Sequence, residues 1–326
     1  MVGEKMKIAE TNRQIRDLFN ESVVTKNEVF LIKQKGDWDQ FCVALDTIAD
    51  TCFAIETFQE DRNNSFFENP YLQTYGLLQA LFIQQDAVNF LKQSLFGEEE
   101  EIKWKEEYPG LSKIRQIRNE TIGHPTKTKN KGKKSLFEND EITYCTIDRS
   151  TLSKDGFEYL LWGHSETGRK QIMFTDIICE QDMCLKIELE KIAEEIRKRE
   201  LEHKIKFKEN KLAGFFDKPT LYERRRMYGI QWDNHLAWPT FDYHCELYER
   251  IKSELEDRYG KLSETASIPG TREVIGKLDF IFKKIKAFKI NGNFENYEIE
   301  IFIDALIAGL DELEQHLEGI DREFEI

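Results

Sequence analysis

Proline and glycine are scarce, 6 and 18 in 326 residues. That is too little punctuation for a many-turned β-protein, so long helices are expected. Long apolar runs are missing too. No stretch approaches the roughly 20 residues that span a bilayer, and Met1 to Asn20 is polar and charged, without the apolar centre of a signal peptide. No membrane association is expected, and the chain reads as cytoplasmic. Paired CxxC motifs are absent. The six cysteines, Cys42, Cys52, Cys145, Cys179, Cys184 and Cys245, fit reduced thiols in that compartment. Cys42, Cys52 and Cys179 stand among apolar residues, as buried free thiols usually do. Cys179, Cys184 and the distant His244-Cys245 pair lack zinc-site spacing, so neither metal nor cofactor is expected.

Hydrophobic residues make up 40% and charged residues 33%, which describes a globular chain with much polar surface and enough length for one large or two ordinary domains. The net charge of −14 argues against general affinity for polyanions. Its distribution is uneven. Between Gly110 and Ser135 stand Lys113, Arg115, Arg118, Lys127, Lys129, Lys131, Lys133 and Lys134, opposed only by Glu120. A basic island in an acidic protein can hold a polyanion at one place; the plainer alternative is a solvated lysine loop.

The periodicity predicts a mainly α fold. Residues 1–36 form a polar N-terminal segment with a short helix. Apolar residues then recur at helical steps from Trp38 to Ile55, and Asp61 to Ser65 break that helix. Asn69-Pro70 is a start signal, a capping side chain followed by proline at the first helical position. The helix it opens is apolar around most of its circumference up to Phe96-Gly97, as a central bundle helix is. Gln84, Gln85 and Asp86 interrupt it and are expected at the surface. A third helix is expected from Leu111 to Ile122, closed by Gly123 in the left-handed conformation and stopped by Pro125. A lysine-rich loop follows. Residues 141–147, 157–162 and 170–174 read as three short strands, a β-meander inserted at about 141–175. Helix resumes at Asp176 and extends to Lys211. Three further helices, near 242–259, 270–288 and 293–317, make a C-terminal helical domain of residues 212–326, and the bundle with its insertion occupies 37–211.

One segment carries chemistry: Arg118-Asn119-Glu120-Thr121-Ile122-Gly123-His124-Pro125. Histidine moves protons near neutral pH, and arginine offers phosphate a permanently charged planar fork. Arg197 and His203 have the same separation but lie in a run of charged residues, and we expect nothing of them beyond helix surface. Asn119 beside the arginine, the Gly-His-Pro ending and the surrounding cations set Arg118–His124 apart.

With those residues, the region from about Trp38 to Lys211 resembles the HEPN family (higher eukaryotes and prokaryotes nucleotide-binding), helical bundles that include toxin and antiphage-defence ribonucleases. Arg118, Asn119 and His124 match the family's pattern of an arginine, commonly followed by a polar residue, and then a histidine after four to six intervening positions. The resemblance implies a metal-independent endoribonuclease in which a ribose 2′-hydroxyl attacks the adjacent phosphate and leaves a 2′,3′-cyclic end. Arg118, His124 and Asn119 would be catalytic, and Lys113, Arg115, Lys127, Lys129, Lys131, Lys133 and Lys134 would bind RNA. It further implies a homodimer whose motifs share one cleft, and an antitoxin or other regulatory protein as a partner. Two alternatives stay open: a non-catalytic nucleic-acid- or nucleotide-binding module, and a helical protein-interaction subunit in which Arg118 pairs with a carboxylate such as Glu120.

Other clusters carry less. His164 falls in a turn. Glu223-Arg224-Arg225-Arg226 reads as a solvated helix face. The aromatic stretch with Trp232, His235, Trp238, Tyr243 and His244 reads as core or interface packing rather than a base-stacking surface.

Overall fold

The fold is mainly α with a small inserted β-meander. The computed structural model describes residues 5–21, 35–63, 69–123, 128–129, 142–162, 167–216, 224–232, 235–263, 268–291 and 296–325. The chain divides into two compact units, one of residues 1–18 and 34–195, the other of 19–33 and 196–326. No helix among the described residues is long and apolar enough to cross a membrane.

The first unit holds α1 (Lys7–Glu21) up to residue 18, then α2 (Lys35–Asn63), α3 (Pro70–Phe96), α4 (Trp104–Glu107) and α5 (Pro109–Arg118) before the strands, and after them α6 (Phe174–Phe207), whose residues 196–207 belong to the second unit. Helix α1 buries Ile8 and Ile15. Its first amides, at Lys7 and Ile8, donate to the Asp182 carboxylate of α6 at 3.1 and 3.0 Å, which satisfies orphan donors at the positive end of the helix dipole. Helix α3 opens as its sequence signal requires. The Asn69 side chain accepts the Leu72 N–H at 3.2 Å with Pro70 at the first helical position, and Gly97 closes the helix at φ 113°.

Gln84 and Gln85, expected at the surface, are fully buried. Gln181 of α6 donates to Leu81 O at 3.0 Å and Gln84 Oε1 at 2.8 Å, and Gln85 donates to Gln181 Oε1 at 2.7 Å. Buried amides are tolerated where they find partners, and these partners lie about a hundred residues downstream. The thiols also divide differently from expectation. Cys52 is buried and Cys42 half-buried, but Cys179 is exposed on the outer side of α6.

Strands β2 (Ile142–Ile147), β3 (Gly156–Trp162) and β4 (Thr167–Met173) pair antiparallel in sequence order, and the two-residue β1 (Thr128–Lys129) pairs with β2. Alternation buries Cys145, Ile147, Phe157, Tyr159 and Ile172 on one face. Phe157 meets Phe174 at 5.9 Å between ring centroids, and Phe174 meets Phe58 of α2 at 5.1 Å. The meander is therefore seated on the bundle, as three strands need to be. Phe174, expected to end a strand, begins α6 instead.

The second unit is built on α7 (Ala237–Tyr259), α8 (Pro269–Asn291) and α9 (Asn296–Glu323), with short 3₁₀ turns at Ala213–Phe215 and Arg225–Trp232. Two arginines in it are almost fully buried. Arg224 bonds Asp311 and Glu314 of α9 and lies 4.6 Å over the Phe216 ring. Arg258 lies over Phe207 and Phe324 and pairs with Asp321, whose carboxylate also takes the Leu212 and Ala213 amides. The expected solvated arginine face thus holds only for Arg225 and Arg226, which are exposed; Arg224 is a core ion pair. In the aromatic stretch Trp238 packs edge-on against Phe241 at 5.9 Å and His244 is buried, while His235 and Tyr243 stay exposed.

His203, expected on a charged surface, is also buried. It packs on Phe207 at 4.8 Å and Phe324 at 5.6 Å, whereas Arg197 is exposed. Burial, helped by Lys206 and Arg258, pushes the imidazole down to about 4. The unfolded histidine takes up a proton near the ordinary 6.5, the folded one only near 4. Between those values the unfolded state binds more protons, so stability is lost as pH falls through that window. Denaturant titrations from pH 7 to pH 5 should show this decline, approaching about 1.4 kcal/mol per pH unit for one group, and His203→Phe should remove it. An unchanged pH slope in the variant would contradict the assignment.

Candidate functional site

Helix α5 buries Leu111, Ile114 and Ile117 at three-residue steps, which turns Arg115 and Arg118 toward α3. There α3 offers Gln79, Phe82 and Asp86 at helical spacing. Arg115 pairs with Asp86 at 2.7 Å and lies 4.1 Å over the Phe82 ring. Arg118 lies 4.4 Å over the same ring, but its acceptors are neutral. Its Nε and Nη2 donate to Gln79 Oε1 at 3.2 and 2.9 Å, and its Nη1 donates to Asn119 Oδ1 at 3.0 Å. Arg118 makes no ion pair among the described residues.

Beyond Arg118 the helix does not close in the expected way. Residues Asn119–Gly123 form a π turn, and Gly123 is not among the positive-φ glycines of the described residues, Gly97 and Gly260. Such wide turns are uncommon and gather at functional sites. Gly123 is needed for closeness: a Cβ there would stand 2.7 Å from Arg118 Nη1 and 3.3 Å from Asn119 Oδ1. The guanidinium thus folds back onto the residue that precedes His124 in sequence.

Glu120, the carboxylate next in the motif, is engaged elsewhere. It accepts from Gln116 at 2.6 Å and from the Tyr159 hydroxyl at 2.7 Å, and Lys170 approaches it at 3.6 Å. Burial and this bond to Glu120 push the Tyr159 phenol far above its ordinary range. Burial, then Glu120, raises the Cys145 thiol to about 11, which makes it a poor nucleophile. The arrangement in which Arg118 pairs with Glu120 is not the one observed.

Asn119 is exposed and lines a cleft of about 610 Å³ together with Lys103, Trp104, Lys105, Arg115 and Gln116. Of the other expected RNA-binding residues, Lys113 is exposed on α5, and Lys129 contributes backbone to β1. His124, Lys127, Lys131, Lys133 and Lys134 lie outside the described residues, as does His164. No three His, Cys, Asp or Glu side chains among the described residues are grouped to hold a metal ion.

Gln79 and Phe82, which hold Arg118, stand 39 and 36 positions upstream and carried no local signal. Only the contact between α3 and α5 identifies them. Trp104 and its flanking lysines were likewise silent in the sequence. No family model, curated protein or solved structure matches the chain.

Proposed function

We propose that this protein is a metal-independent endoribonuclease of the HEPN kind, acting through Arg118, Asn119 and His124. The observation that carries the reading is the state of Arg118. It is a fixed cation resting on an aromatic face and held by two neutral amide oxygens, so its charge is left for a ligand. A phosphate whose oxygens gain negative charge during cleavage suits such a group. In this scheme His124 takes the proton of a ribose 2′-hydroxyl, the 2′-oxygen bonds to phosphorus, and the bond to the 5′-oxygen breaks. The leaving oxygen gains a proton, and the products are a 2′,3′-cyclic phosphate and a 5′-hydroxyl.

A second copy of the motif would supply the second proton-transferring group that this chemistry benefits from. Support for dimerisation comes from α3. Leu72, Ile83 and Phe90 are exposed at 67%, 37% and 50%, and at about 100° per residue they share one line along the helix, next to Gln79. Exposed apolar lines of this kind mark association surfaces. Phe90→Glu should turn a dimer into a monomer in sedimentation and lower cleavage with it. A fully active monomeric variant would contradict the shared cleft.

The direct test is incubation of purified variants with total RNA, scoring fragments and cyclic ends. Cleavage should survive EDTA. His124→Ala should lower it by about 10²–10⁴-fold, the usual contribution of acid–base groups, and Arg118→Ala by about 10²–10³-fold, by analogy with an oxyanion donor. Arg197→Ala, on the exposed surface, should leave it near normal. His203→Ala does not serve as a control, since it opens a buried aromatic cluster. Loss of activity in chelator, or full activity in His124→Ala, would overturn the mechanism. RNA binding without cleavage in every preparation would assign the site to binding alone.

A further inference from the structure

The cleft beside the motif differs in character from Arg118 itself. Its volume of about 610 Å³ lies within the roughly 300–1,000 Å³ of sites for small ligands. The half-buried Trp104 is part of its lining, its ring tilted against Tyr108 at 6.5 Å between centroids. Lys103 and Lys105 flank the tryptophan in sequence. Both are exposed, and neither makes an ion pair among the described residues. Arg115 also lines the cleft, but its charge is compensated by Asp86 at 2.7 Å. Asn119 borders the cleft and touches Arg118 at 3.0 Å, so an occupant would lie beside whatever Arg118 holds.

We propose that this cleft is a nucleotide subsite for single-stranded RNA: Trp104 stacks one base, and Lys103 and Lys105 hold the adjoining phosphates. The proposal rests on the ribonuclease reading for its ligand, and it adds the position of a nucleotide next to the scissile phosphate. An aromatic residue with exposed lysines beside it in the same cleft suits a single strand, because every base has a face to stack and every linkage a charge. Glu106 and Glu120, also in the lining, disfavour a bare polyphosphate, and the exposed Glu106 offers an acceptor to base N–H groups. A duplex hides its base faces and is not expected to use the ring.

The experiment measures binding of a labelled single-stranded decaribonucleotide to the full-length chain in the His124→Ala background, which does not consume the probe on the ribonuclease reading. Adding Trp104→Ala should weaken binding by about 10-fold, within the range for loss of one stacked base, and Trp104→Phe should restore most of it. Lys103→Ala with Lys105→Ala should weaken binding and flatten the salt dependence by about 0.7 per lysine. These two sets also separate a lost contact from a misfolded Trp104→Ala protein. The same strand presented as a duplex should bind alike with and without Trp104. Unchanged affinity in both Trp104→Ala and the double lysine variant would overturn the subsite and leave the ribonuclease reading standing. Displacement of the strand by AMP at equal concentration would overturn RNA as the occupant in favour of a free nucleotide. No binding of the strand by any form would remove both readings, whereas binding that tracks Trp104 in a chain that never cleaves would uphold the subsite and remove only the catalysis.

Discussion

A guanidinium resting between two helices must find acceptors, and where α5 meets α3 the two acceptors differ in charge. Arg115 receives Asp86 and is neutralised; Arg118, one turn on, receives Gln79 and is not. Both lie over Phe82, an apolar floor that fixes the planes of the guanidinium groups and leaves one edge of each for polar partners. A carboxylate in place of Gln79 would make the pair an ordinary interhelical ion bridge. The site therefore depends on an amide standing where an acid would be the more usual partner.

The inserted meander contributes to the same outcome. Glu120 stands two residues after Arg118 and would be its natural partner on charge alone. Tyr159 of β3 and Lys170 of β4 instead draw that carboxylate toward the sheet, and the π turn at Asn119–Gly123 accompanies this change of direction. The strands thus remove the local competitor for Arg118. Packing of Phe157 on Phe174, and of Phe174 on Phe58, holds the sheet in the place where it can do so.

Much of the architecture was legible because it rests on local rules. Asn69-Pro70 announced α3 through a capping side chain and a residue that has no amide to lose. The apolar periodicity of α2, α3 and α6 and the alternation of β2 to β4 announced themselves in the same way. What failed were statements about buried polar groups whose partners are distant. Gln84 and Gln85 looked like a solvated break until Gln181 met them; Arg224 looked solvated until Asp311 and Glu314 closed on it; His203 looked exposed until Phe324 covered it. Gly123 was read as a helix stop from its identity, whereas its lack of a side chain serves the approach of Arg118. At the site itself, Arg118 and Asn119 could be singled out by residue type and spacing. Gln79, Phe82 and Trp104 could not, since nothing in their own neighbourhoods distinguishes them.

The claim at the centre of this account is that Arg118 works because its charge is uncompensated, and Gln79→Glu tests it with almost no change of shape. The variant puts a carboxylate oxygen about where the amide oxygen now stands, 2.9 Å from Nη2, and an ion pair should form in place of two hydrogen bonds to a neutral acceptor. The account predicts that RNA cleavage falls toward the level of Arg118→Ala, by about 10-fold or more, while thermal stability is retained or slightly raised. Full activity in a folded Gln79→Glu protein would contradict it.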